Sequence, residues 1–180
     1  MHLMVYAPYG RTGVYMLQEY CRRLGIGTTA SDIEQLARAL KSLPRHHPLS
    51  ALVAQSKDFA QADALADTLL NPRDRAYSVP QLFEFIEGAG LEFRRWFRQA
   101  PYLPQCGAMA TSPHNARLTA LAAPEQYAAV ELWRGSMARH SPIVGLRETP
   151  RDSRAIQFDG DRWRSFVPIR LPNTLCIKER

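Results

Sequence analysis

The stretch "YSVPQLFEFIEGAGLEFRRWFRQ" constrains this chain more than any other, because it reads as a helix, a glycine stop and a strand in direct succession. Ser78 and Gln81 have the spacing of a capping box, Pro80 sits in the first turn where its missing N–H costs little, and Leu82, Phe83 and Ile86 form the apolar stripe. Gly88 and Gly90 end the helix, and Leu91, Phe93 and Trp96 or Phe97 then begin a strand that carries Arg94, Arg95 and Arg98 toward a wetter side. Helix, glycine, strand is the second half of a βαβ crossover. At the start of the chain, Leu3, Met4, Val5 and Tyr6 form an apolar run stopped by Pro8 and Gly10, which reads as a strand covered on both faces and in need of neighbours on both sides.

Helical patterns fill the space between these strands. In "GRTGVYMLQEYCRRLGIG", Val14, Leu17, Tyr20, Cys21 and Leu24 recur at helical spacing and Gly25 supplies the stop. In "SDIEQLARALKSLP", Ser31 and Glu34 have capping-box spacing ahead of Ile33, Leu36, Ala37 and Leu40, and the helix is expected to end before Pro44. "HPLSALVAQ" and "QADALADTLL" are shorter apolar-periodic pieces, and "LLNPRDRAYSVP" is a polar, proline-bounded loop. Farther on, "PEQYAAVELWRGSMARH" predicts a helix with Pro124 at its start and "HSPIVGLRE" a strand. Asp159-Gly160 between two strand-like runs signals a hairpin in the last thirty residues.

Composition bounds the function. The 180 residues, 46% of them hydrophobic and 22% charged, suit a globular domain with a real core, and no apolar run approaches the roughly 20 residues that cross a bilayer. A membrane role is therefore not expected. Three cysteines, Cys21, Cys106 and Cys176, are odd in number, widely spaced and free of a CxxC pair, so neither a disulfide framework nor structural zinc is implied and the setting reads as cytoplasmic. The formal charge is +6, and between Arg134 and Arg180 ten basic residues stand against five acidic ones. Those arginines are scattered along the chain without interleaved aromatics, which argues for a solvated basic surface and against a nucleic-acid face.

Few constellations carry chemistry. Adjacent His46 and His47 cannot easily face one metal, His114 and His140 have no carboxylate or cysteine at ligand spacing, and no serine lies in a GxSxG context, so no metal site is expected. Gly10 and Gly13 lie between a strand and a helix, yet they match neither a P-loop nor a dinucleotide fingerprint, and a tight turn explains Gly10. Tyr6, Tyr9, Arg11 and Tyr15 flank the carboxyl end of the expected parallel strand, where open α/β sheets place ligands, and could line an acceptor pocket. They could equally be core-edge and solvated residues. Asp74, Arg75 and Tyr77 in the interrupting loop are candidates for a lid or substrate contact, with local loop hydrogen bonding as the other reading.

The order of "LMVYAPYGR", a helical insert, "NPRDRAYSVPQLFEFIEGAGL" and "RHSPIVGLRE" resembles the C-terminal half of class I S-adenosylmethionine-dependent methyltransferases, of a bacterial type sometimes joined to tetratricopeptide repeats. The resemblance implies a partial Rossmann-like α/β sheet of late strands over residues 1–150, with a helical insert at about 28–77, followed by a β-hairpin extension over 151–180. In that family the first four strands and the glycine-rich cofactor loop precede the equivalent of Met4 to Ala7, so the chain reads as a fragment. The resemblance also implies S-adenosylmethionine as cofactor and an acceptor substrate of undefined class. No GxGxG-type loop is present, so the piece is expected to be inactive alone. The competing expectation is an interaction module that self-associates through an exposed sheet edge.

Overall fold

The computed structural model describes residues 1–50, 53, 59 and 61–147. The expected C-terminal hairpin at 151–180 lies outside the described residues. The described chain is mixed α/β and divides into two compact units: one built from Met4–Ser78 and Arg134–His140, the other from Met1–Leu3, Val79–Trp133 and the described residues from Ser141.

In the first unit the opening strand is short, β1 at Val5–Tyr6, and it pairs antiparallel with β3 at Arg139–His140. This corrects the expectation of a parallel strand buried on both faces. Met4 and Tyr6 are exposed whereas Ala7 is fully buried, so the run is half-buried with period two, and Tyr and Met serve as readily on the wet face as on the dry one. Its second edge is not bare either. Tyr6 forms a parallel bridge with Ala76, and Tyr77 N donates to Tyr6 O at 2.9 Å.

Helix α1 (Thr12–Leu24) follows, ending at Gly25 in the left-handed conformation with φ of 66°. Its buried face is Gly13, Val14, Leu17 and Cys21, while Tyr20 and Leu24, expected on that face, are exposed. Helix α2 spans Ala30–Leu40 and starts earlier than the Ser31/Glu34 pattern suggests. Thr29 is its N-cap: Thr29 Oγ1 accepts from Asp32 N at 3.2 Å and donates to Asp32 Oδ2 at 2.8 Å, the same reciprocal logic set two residues upstream. Helix α3 is Ala62–Leu70. Val14, Leu17, Cys21, Leu36, Leu40, Leu49, Leu65 and Leu69 form one core among these elements. The polar loop at 71–78 leaves helix α3 as the sequence indicates.

In the second unit, helix α4 (Val79–Gly88) runs through Gly90, at φ of 69°, into strand β2 (Leu91–Trp96). The helix-glycine-strand reading of the sequence holds here. Strand β4 (Pro142–Leu146) pairs antiparallel with β2, and a register irregularity between Phe93 and Arg95 resets the alternation that brings Trp96 to full burial. Met1–Leu3 flank the other edge of β4, with His2 bridged antiparallel to Ile143 and Leu3 N donating to Pro142 O at 3.0 Å. Within this unit β4 thus has neighbours on both edges, each antiparallel to it, and those two neighbours run in the same direction. The short helix α5 (Asn115–Thr119) precedes α6 (Ala123–Arg134), which has Pro124 in its first turn as expected.

The core of this unit is aromatic. Trp96 stacks on Tyr102 with centroids 3.8 Å apart and planes 5° off parallel, while Phe93 and Tyr127 meet the Trp96 ring edge-on. Gln99 threads the cluster, accepting from Trp96 N at 3.1 Å and donating to Tyr127 Oη at 3.0 Å. Buried Glu131 accepts from Val79 N at 2.8 Å, placing a carboxylate at the amino end of α4 where orphan amides and the helix dipole favour it.

Candidate functional site

The residues singled out beside the opening strand and in the interrupting loop converge within the first unit. Strand β1 ends at Tyr6, a single turn at Tyr9–Arg11 leads into α1, and the 71–78 loop returns to the carboxyl end of β1 through the bridge at Ala76 and the backbone bond from Tyr77. Two segments more than sixty residues apart are thereby held side by side.

Arg11 is the centre of the arrangement. Its Nη2 donates to Asp74 Oδ2 at 3.1 Å, and the two side chains retain only 12% and 7% of their exposure. Its Cζ lies 3.6 Å from the centroid of the Tyr6 ring and 5.7 Å from that of Tyr15. An arginine suits this position because its planar cation stacks on aromatic faces while its edge pairs with a carboxylate. Gln18 completes the set, its Nε2 donating to Asp74 Oδ2 at 2.8 Å and to Thr68 O at 2.9 Å. Gln18 was not among the residues the sequence pointed to, although Arg11, Tyr15 and Gln18 at i, i+4 and i+7 share one helical face, which is a readable signal.

Burial raises the Tyr15 pKa above its ordinary value, the Asp74 carboxylate adds to the rise, and the Arg11 guanidinium opposes it. The phenol therefore stays protonated. Tyr15 Oη and Arg11 Nε are both buried without a hydrogen bond of good geometry, so the cluster's polar capacity is not exhausted by its own members.

The remaining candidates sit at the rim. Tyr9 and Tyr6 are 40% and 36% exposed. Arg75 is exposed with its Cζ 4.8 Å from the Tyr77 ring centroid, and neighbouring Arg73, which the sequence reading passed over, is exposed as well. The structure thus places Tyr6, Tyr9, Arg11, Tyr15, Asp74, Arg75 and Tyr77 on two adjoining segments.

The glycines of "YGRTGVY" are occupied by packing. A Cβ on Gly10 would collide with the Met137 backbone, and one on Gly13 with the backbone of Leu49, so neither glycine leaves room for a phosphate or sulfonium ligand to approach the chain. A cavity of about 440 Å³ opens between α2 and α3, lined by residues including Ile33, Ala37, Phe59 and Leu65, and none of the candidate residues borders it. Among the described residues no three histidine, cysteine, aspartate or glutamate side chains group as a metal site, and no helix is long and apolar enough to cross a membrane. Burial raises the pKa of the free Cys21 thiol, which keeps it protonated inside the core. Compared with models of known protein families, the chain matches none.

Proposed function

We propose that this chain is the acceptor-side, C-terminal portion of an S-adenosylmethionine-dependent methyltransferase, with the cofactor held by residues outside it. The gathering of Tyr6, Arg11, Tyr15 and Asp74 beside β1 carries the reading, since it groups aromatic rings, a cation and hydrogen-bonding side chains at one place in the first unit. The strand arrangement supports it too. Two like-directed segments, Met1–Leu3 and β2, with β4 running antiparallel between them, resemble the late strands of a methyltransferase sheet, and antiparallel strands do join otherwise parallel sheets. Methyl transfer depends chiefly on in-line positioning of acceptor and donor, so aromatic and hydrogen-bonding groups can supply this portion's share without a signature nucleophile. In this reading Tyr9 and Tyr6 contact the acceptor, and Arg11, anchored by Asp74, positions the Tyr6 ring.

The test is a calorimetric titration with S-adenosylmethionine. The 180-residue chain is expected to show no saturable binding, and the chain lengthened by its upstream coding sequence is expected to bind tightly and methylate. Tight binding by the 180 residues alone would overturn the division of labour. The other reading, a non-catalytic module that pairs through a sheet edge, is favoured by Met4, which is exposed just ahead of β1, whose second edge Tyr77 covers only at Tyr6. Light scattering showing a stable dimer that a Met4→Pro substitution dissociates would support it.

A further inference from the structure

We infer that the carboxyl end of β1 is a binding surface for a phosphate-bearing planar base, as a free nucleotide or as part of a single strand. The fold sets arginines against aromatic rings: Arg11 lies against Tyr6 and Tyr15, and Arg75 lies over Tyr77. The backbone bond between Tyr77 and Tyr6 joins the two segments that carry these pairs. The Arg11 charge is answered by Asp74, whereas Arg73 and Arg75 are exposed and have no ion pair among the described residues. The loop therefore presents two uncompensated cations on a segment bonded to β1, and Tyr6 at the end of that strand and Tyr9 just after it are partly exposed.

Each component has a ligand chemistry. A guanidinium offers a planar fork of donors that matches phosphate oxygens. A tyrosine ring offers a face on which any base stacks, a contact tolerant of base identity. Together they fit a ligand that carries a phosphate and a planar ring, and they fit a simple anion or a simple aromatic less well. The Asp74 carboxylate within the cluster is already engaged by Arg11 and Gln18. This inference does not depend on methyl transfer and is tested without a methyl donor.

The experiment titrates the 180-residue chain with uridine 5′-monophosphate, an eight-nucleotide oligouridylate, uridine and inorganic phosphate, following tyrosine resonances by NMR. Saturable shifts with the nucleotide and the oligonucleotide are expected, at affinities exceeding those for uridine or phosphate. Replacing both rim arginines (Arg73→Gln with Arg75→Gln), or Tyr9→Ala alone, should weaken binding about tenfold, the scale of one stacked base. These positions are exposed, and an unchanged melting temperature separates lost binding from lost folding. An oligonucleotide that binds at least tenfold more tightly than the mononucleotide, with an affinity falling steeply in salt, identifies a single strand as the source; equal affinities identify a free nucleotide. Phosphate binding as tightly as the nucleotide, or wild-type affinity in the substituted chains, would overturn the inference.

Discussion

The two units solve the same problem with opposite chemistry. The unit containing β2 and β4 is held by rings: Phe93, Trp96, Tyr102 and Tyr127 pack face-on and edge-on, and Gln99 serves the few polar atoms among them. The unit containing β1 and α1–α3 packs an aliphatic core of leucines, with Val14 and Cys21, and ties its long polar loop down with Arg11, Asp74 and Gln18. Ring packing joins residues between Phe83 and Tyr127. The polar tie joins residues 11 and 74. Dispersion contacts are numerous and forgiving, whereas a nearly buried ion pair depends on both partners being present.

The largest effect should come from removing the ring at the centre of the second unit. Trp96→Ala leaves a cavity under Tyr102 and Phe93 and is expected to cost about 4 kcal/mol. Amide exchange should then accelerate in β2 and β4 before it does in α1–α3; equal acceleration everywhere would mean that the two units unfold as one. Next is Asp74→Ala, which strands Arg11 against two tyrosines with little exposure and should cost about 3 kcal/mol. Exchange at Tyr77 N is expected to rise most, because that amide closes the loop onto β1. A loop that stays protected would show that the backbone bridge holds it unaided.

Alkali should distinguish the units more gently. Burial raises the Tyr102 pKa above its ordinary value, and the charge on Glu131 raises it further. A phenol that holds its proton more tightly when folded contributes stability that is intact below the unfolded pKa of 10.0 and is lost as pH rises above it, at up to about 1.4 kcal/mol per pH unit. Stability measured by denaturant titration from pH 8 to 11.5 should fall above pH 10. Tyr102→Phe should flatten that fall, and an unchanged profile would assign it to Tyr15 in the other unit, whose pKa is also raised. The smallest effect is Thr29→Ala, expected to cost about 1 kcal/mol by leaving the Asp32 amide uncapped, while Ser31→Ala should cost much less. The reverse order, read from melting curves, would restore the capping box to Ser31 and Glu34.

Local grammar was legible because it depends on neighbours. Pro80, the stripe of Leu82 and Ile86, Gly90 and the run to Trp96 specify helix α4 and strand β2 through backbone sterics and periodicity, and both appear where the sequence puts them. Gly25 ends α1 for the same reason. Where a side chain could serve either side of an interface, the sequence was ambiguous: Tyr20 and Leu24 fit the α1 pattern but face solvent, and Thr29 competed with Ser31 for the same capping role. Strand direction was not legible at all. Nothing local to Val5 and Tyr6 distinguishes a parallel from an antiparallel partner, since the hydrogen-bonding groups are identical and only the path of the returning chain decides which strand arrives.

The same division applies to the candidate site. The sequence by itself determined that tyrosines and an arginine follow the opening strand and that a polar loop carries Asp74, Arg75 and Tyr77. Only the tertiary structure decided that Asp74 neutralises Arg11, that Tyr6 lies beneath that guanidinium, and that Arg73 and Arg75 are exposed without an ion pair among the described residues. The reason is physical. The charge of each residue is intrinsic, but whether that charge is stacked, paired or free depends on a contact between segments sixty residues apart, and such contacts are set by the packing of α1, α2 and α3 rather than by any neighbour along the chain.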